Sequence, residues 1–147
     1  MSMFTALEVS GSALGAERQR AEVVAANMAN SETTNTPEGG PYRRKEVVFA
    51  SSGNQAFQTM LADYNGLHSY TRPAVRVQKV VDDPTPPLMR YEPGHPDANK
   101  DGYVAYPAIN PTEEMVDLMG AVRSYQLNAT AVAASKQMLQ EAMSLLK

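Results

Sequence analysis

Apolar residues along this chain fall into three regimes. From residue 1 to about 31 there is no proline, and Met3, Leu7, Leu14, Ala21, Val24 and Met28 recur at spacings built from threes and fours. That is one apolar stripe on a helix. The stripe is weak. Ser10 and Glu17 interrupt it, and Gly11 and Gly15 each cost about 1 kcal/mol against Ala in a helix interior. Such a helix needs a partner to persist. From residue 32 to 109 the helical period disappears, and nine of the ten prolines lie here. Ser31–Pro41 is a loop by composition. The pattern predicts short strands over Glu46–Ala50, Ala74–Val81, Met89–Tyr91 and Tyr103–Tyr106. Glu92-Pro93-Gly94-His95-Pro96 must turn. Ala56–Tyr64 reads equally as a short helix or a strand.

The third regime, 111–147, is the strongest. Asn110 is an N-cap, Pro111 suits the first helical position, and Glu113 is placed to bond back to the cap. Met115, Leu118, Val122, Tyr125, Ala129, Val132, Lys136, Leu139, Met143 and Leu146 then follow in steps of three or four, with only Lys136 breaking the apolar series. That is a coiled-coil seam. Met119, Leu127, Met138 and Leu145 lie off it and define a second apolar face, one that predicts further partners. The layout predicts an α+β fold. N- and C-terminal helices pack as an antiparallel coiled-coil-like domain (1–31 and 111–147), around a small β-rich insert with extended loops (32–110).

Composition narrows the function classes. The 147 residues are 43% apolar with a net charge of −3. The one basic cluster, Arg43-Arg44-Lys45, is short and adjoins Glu46, so a nucleic-acid surface is not expected. Without cysteine there is no thiolate nucleophile or Cys-held metal. No apolar run approaches the roughly 20 residues of a membrane span. Met1–Thr5 carries no basic region leading into an apolar one, and no cleaved signal peptide is expected.

The chemical motifs are weaker than their bland readings. Asp97, Asn99, Asp101 and Gly102 match the first half of a calcium loop, but its twelfth position is Ala108 instead of the bidentate Glu; a polar turn accounts for them. His68 and His95 supply no third ligand. Gly11-Ser12 lies inside a helix and forms no nucleophile elbow. Gly39-Gly40 is followed by Pro41, which removes an N–H that a phosphate would want. Asp82-Asp83 reads as a turn, and Glu113-Glu114 as negative charge at a helix N-terminus. Asn27 and Asn30 read as residues that cap the first helix and fix the loop leaving it. Met115, Met119, Met138 and Met143 read as adaptable helix packing. No catalytic, cofactor or metal residues are assigned.

Three blocks are familiar. Ala25-Ala26-Asn27-Met28-Ala29-Asn30 resembles the AAxNxAN signature of the flagellar rod and hook axial family. Pro41-Tyr42-Arg43-Arg44-Lys45 resembles the GYKR-type segment that follows it, with Pro for the usual Gly. Glu114–Met119, Arg123-Ser124-Tyr125-Gln126 and Asn128 are similar to the family's closing block. Pro41–Phe49, Tyr91–Pro96 and Lys100–Val104 are most like the members that build the proximal rod. Nothing is carried over onto Ser51–Thr71.

The resemblance implies a non-enzymatic structural subunit. It would be exported through the flagellar type III apparatus without cleavage and stacked helically in the rod within the periplasm. Its partners would be copies of itself and neighbouring rod proteins, and it would transmit torque. Helix packing is then assigned to Leu7, Leu14, Val24 and Met28 with Met115, Leu118, Val122, Tyr125, Val132 and Leu139. Asn27, Asn30 and Arg123 would fix the helix exit and neighbouring contacts. The alternatives are a cytoplasmic coiled-coil adaptor or chaperone, and a small hydrolase built on His95 and Asp97.

Overall fold

The computed structural model describes residues 3–52 and 74–145. The ambiguous element at 56–64, His68, the Met3 side chain and Leu146 fall outside the described residues. The element order is α1 (Met3–Ala29), β1 (Lys45–Ser52), β2 (Ala74–Asp82), β3 (Leu88–Tyr91), β4 (Tyr103–Tyr106) and α2 (Pro111–Ser144). The fold is α+β: two long helices with a small β region between them. Each predicted strand forms, with bounds one or two residues wider or unchanged. β1 pairs with β2, and β3 with β4.

The chain divides into two compact units, and each helix contributes to both. The first comprises Gln19–Val48 and Lys79–Ala121. Here the C-terminal part of α1 and the first turns of α2 run antiparallel, because Arg20 meets Asp117 while the later Asn27 meets the earlier Glu114. Val24, Val104, Ile109 and Ala121 are its buried apolar core, and Pro107 is buried with them. The β3–β4 ribbon pairs Leu88 with Tyr106 through Tyr91 with Tyr103. Opposite residues share a face, and the Tyr91 and Tyr103 rings meet edge-on at 5.3 Å. The ribbon's loop closes on Asn99, whose Oδ1 accepts the N–H groups of Asp101 (3.0 Å) and Tyr103 (2.8 Å). Gly102 then turns at φ +80°, where a Cβ would lie 2.9 Å from Tyr91 Cε2. So the Asx–Gly sequence acts here as a turn.

The second unit holds the N-terminal part of α1, the outer ends of β1 and β2, and α2 from Val122 onward. Among its described residues, the buried ones are Ala16 and Ser135, both small. The Ser12 hydroxyl donates to the Val9 carbonyl (2.8 Å) and accepts the Val75 N–H (3.0 Å), tying α1 to the start of β2.

α2 starts as its cap dictates. Asn110 Oδ1 accepts the Thr112 N–H at 3.0 Å, and the Asn110 carbonyl accepts the Glu114 N–H at 3.1 Å. Glu113 is exposed, and the expected bond back to the cap is not formed. The expected seam is displaced on one of its two rows. Leu118, Val132 and Leu139 are half-buried as that seam places them, but Tyr125 is exposed, as are Met115 and Val122. In their stead Glu114, Ala121 and Ser135 are buried and Asn128 is half-buried, seven residues apart each time. The row facing inward is therefore the small and polar one, one position earlier. A hydrophobicity pattern picks the larger apolar neighbours. Ala121 and Ser135 are small enough to be covered almost completely, and Glu114 has a charge partner in Arg44.

Candidate functional site

The most constrained cluster lies in the first unit, where α1 gives way to the loop that leads into β1. Asn27 is completely buried, and all four hydrogen-bonding positions of its amide are used. Oδ1 accepts the Lys45 N–H at 2.9 Å and the Tyr42 hydroxyl at 3.2 Å. Nδ2 donates to the Lys45 carbonyl at 2.9 Å and to Glu114 Oε2 at 3.0 Å. The side chain thus pairs with both backbone groups of Lys45 as a neighbouring strand would. Asn30 plays the other part expected of these amides. Its N–H and Nδ2 both donate to the Ala26 carbonyl, and its Oδ1 accepts the Thr33 hydroxyl. Asn30 closes the helix; Asn27 positions the strand.

The loop between them is self-supporting. Thr36 N–H donates to the Gly40 carbonyl and Gly39 N–H to the Thr36 carbonyl, both at 2.9 Å. The reversal needs φ of +89° and +80° at Gly39 and Gly40, a conformation glycine adopts without strain. Thr34 donates to Asp97 at 2.7 Å, pinning this loop to the β3–β4 loop. Asp97, the carboxylate of the hydrolase alternative, is thereby engaged structurally.

Glu114 is 1% exposed. A carboxylate that deep costs several kcal/mol in lost hydration unless it is paired. Arg44 supplies the pair, its Nε donating to Oε1 at 2.6 Å, and Asn27 takes the other oxygen. The Arg44 guanidinium also contacts Glu46, Asp83 at 3.9 Å and Asp117 at 3.7 Å. Asp117 in turn meets Arg20 at 3.5 Å. One cation thus sits among four carboxylates. Burial alone would lower the Arg44 pKa, but the hydrogen bonds and charges of Glu114 and Glu46 outweigh it and hold it above its ordinary value. Burial, with Asp82 and Glu114 adding to it, raises the Tyr42 phenol above its ordinary 10.0. Hydrogen bonds from the Thr85 side chain and backbone hold Asp83 below the usual carboxylate value, against the desolvation that raises it and with Arg44 adding to the lowering.

A cavity of about 410 Å³ adjoins this cluster, walled by Pro41, Pro84, Pro86, Pro87 and Pro107. Its lining charges include Arg44 and Asp83, both already committed to partners. The arrangement fixes one chain segment to another, and among the described residues no group of three or more acidic or His side chains is placed to hold a metal. No described helix is long and apolar enough to cross a membrane.

The residues assigned to helix packing separate into two sets. Val24 and Asn27 are buried, while Leu7, Leu14, Met28, Asn30, Leu118, Val132 and Leu139 are half-buried. Met115, Val122, Arg123 and Tyr125 are exposed, and so lie outside the core of the single chain. Also exposed are Val116 and Met119 in the first unit and Leu127, Met138 and Leu145 in the second, at 49% to 87%. Sequence reasoning missed Arg44, Lys45, Tyr42 and Glu114 as one site. Each lies in one of the family-like blocks, Tyr42, Arg44 and Lys45 in the second and Glu114 in the third, but nothing in the sequence joins the two blocks in space.

Comparison with known proteins fits this geometry. The family model described as flagella basal body rod protein matches residues 7–35. The one described as flagellar basal body rod FlgEFG protein C-terminal matches residues 100–145. Both ends of the chain thus resemble flagellar rod proteins, and the first match contains Asn27 while the second contains Glu114. Over the whole chain, the flagellar basal-body rod protein FlgC of Bacillus subtilis is 40% identical, covering 99% of each chain. The FlgC of Borreliella burgdorferi is 37% identical, over 100% of this chain and 99% of its own. That of Salmonella typhimurium is 34% identical over 99% and 98%. The chain belongs to the FlgC family of flagellar basal-body rod proteins.

Proposed function

We propose that this chain is a structural subunit of the proximal rod of the flagellar basal body, that it assembles helically through its terminal helices, and that its role requires no catalysis. The observation that carries the reading is the exposed apolar face of α2. Met115, Val116, Met119, Val122, Leu127 and Met138 give one helix far more exposed apolar surface than a solitary subunit needs. A subunit that repeats by a rotation that does not close builds an open helical stack, and this face is where neighbours would sit. On this reading 1–31 and 111–147 form the assembly domain and 32–110 the outer β-rich part. The partners are further copies and neighbouring rod proteins, reached by type III export, and the rod lies in the periplasm. The adaptor alternative draws no support from relatives that are rod proteins.

Val122→Asp tests the reading. Val122 is 44% exposed, so the variant should fold with unchanged helicity yet fail to enter basal bodies and leave the strain non-motile. A motile strain carrying Val122→Asp would overturn the reading. The N-terminal sequence of the chain recovered from basal bodies tests export: it should begin at the encoded residues.

A further inference from the structure

We infer that the Asn27–Glu114–Arg44 cluster sets the register of the antiparallel helix pair, with Arg44 and Glu114 as positioning residues. Apart from the cluster and the Arg20–Asp117 ion pair, which is 34% and 43% exposed and so contributes little, the facing residues of the first unit are small or adaptable: Ala21, Val24 and Met28 on α1, Leu118 and Ala121 on α2. Such surfaces pack acceptably in more than one register, since nothing in them distinguishes one turn from the next. Glu114 does distinguish them. It is the only charged residue among the buried described side chains, and its partners are fixed to different elements. Asn27 is on α1 and is itself locked to the Lys45 backbone. Arg44 is on the chain entering β1. A slip of four residues, about 6 Å, would bring Glu114 opposite Val23, or opposite Ser31 just past the end of α1. Neither is a cation, and the Ser31 hydroxyl already donates to the Met28 carbonyl, so the carboxylate would be buried without a counter-charge. A single buried polar position that fixes pairing is a known use of such groups in helix pairs. The register in turn decides where Met115 and Met119 stand relative to α1. That consequence for the rod rests on the function proposed above, but the register can be tested on the isolated chain.

The chain has no cysteine, so introduced pairs report cleanly. Arg20→Cys with Asp117→Cys reads the native register. The 3.5 Å contact lies between the ends of the two side chains, and a direct disulfide needs Cβ atoms about 4 Å apart, so a short bifunctional thiol reagent stands in for their reach. Arg20→Cys with Glu113→Cys or with Ala121→Cys reads a slip of four residues either way. Each pair is treated with the reagent in the parent and in Arg44→Met/Glu114→Leu, which replaces the ion pair with apolar side chains. The parent should cross-link efficiently at 20–117 alone. The double variant should keep its helicity while the slipped pairs cross-link to about a tenth or more of the 20–117 yield. Glu114→Gln, which keeps the shape and removes the charge, gives a second reading and should also raise the slipped pairs above the parent. Cross-linking confined to 20–117 in the folded double variant, or in Glu114→Gln should the double variant not fold, would overturn the inference. Loss of stability with an unchanged cross-linking pattern would overturn it too, leaving the cluster a stabilising role only.

Discussion

Replacing Arg44 with Met should be the most damaging single change in the first unit that removes almost no apolar contact. Met keeps most of the aliphatic stem. What is lost is the cation at 2.6 Å from Glu114 Oε1, leaving a carboxylate that is 1% exposed with Asn27 as its remaining donor. Breaking one side of a buried pair costs about 3–5 kcal/mol. Arg44 is itself 23% exposed, so solvent reaches part of the pair and about 3 kcal/mol is the appropriate figure. At about 2.1 cal/mol/K of unfolding entropy per residue, over 147 residues, this corresponds to a fall in Tm of ~10 °C. Urea unfolding followed by far-UV circular dichroism gives the free energy directly. Arg44→Met/Glu114→Leu should recover most of the loss, since an apolar replacement of a buried pair is often neutral or stabilising. An Arg44→Met variant within about 1 kcal/mol of the parent would refute the claim that Glu114 is a buried charge dependent on Arg44.

Three further expectations follow from the same geometry. Asn27→Asp replaces two donated hydrogen bonds with a second carboxylate facing Glu114, and should cost about 3 kcal/mol or more in urea unfolding; Asn30→Asp, on the less buried helix exit, should cost under about 1 kcal/mol. Gly102→Ala forces a Cβ to φ +80°, a strain of about 1–2 kcal/mol partly offset by a stiffer unfolded chain, so a net loss near 1 kcal/mol is expected together with altered tyrosine near-UV dichroism. Tyr42 has a raised pKa in the folded chain, so its neutral form is the one that folding favours. Its contribution is fully present below the unfolded value of about 10 and is lost as pH rises through the folded value; the difference in urea midpoint between parent and Tyr42→Phe should therefore be constant to about pH 10 and shrink above it.

The helices and strands were legible because their signals are local. Asn110-Pro111 marks the start of α2, alternation in Ala74–Val81 marks β2, and the Asx–Gly pair marks the turn at 99–102. The family was legible because the Asn-rich helix end and the closing helix are long motifs. The site was legible only in part. Asn27 was singled out, but as a cap; its actual partner, the Lys45 backbone, is set by a loop whose path no periodicity records. Glu114 reads as a dipole-compensating charge because it stands beside Glu113 in the first turn of a helix, and burial of a carboxylate depends on a cation seventy residues away. The one-position displacement of the α2 seam has the same origin. Hydrophobic scanning ranks Met115 and Val122 above Glu114 and Ala121, whereas the single chain buries the small and paired residues and leaves the large apolar ones outside.

Thiol labelling follows those outer residues from the isolated chain into the rod. Single cysteines at Met119, Val122 and Leu127 should be modified rapidly by a thiol reagent in the isolated chain, where these residues are 67%, 44% and 64% exposed. In purified basal bodies the same positions should be protected, while a cysteine at exposed Lys100 on the β3–β4 loop serves as the comparison site. Protection of the α2 positions on assembly would establish that this face is buried between rod subunits. Equal labelling of Met119→Cys, Val122→Cys and Leu127→Cys in the isolated chain and in the basal body would contradict assembly through the terminal helices.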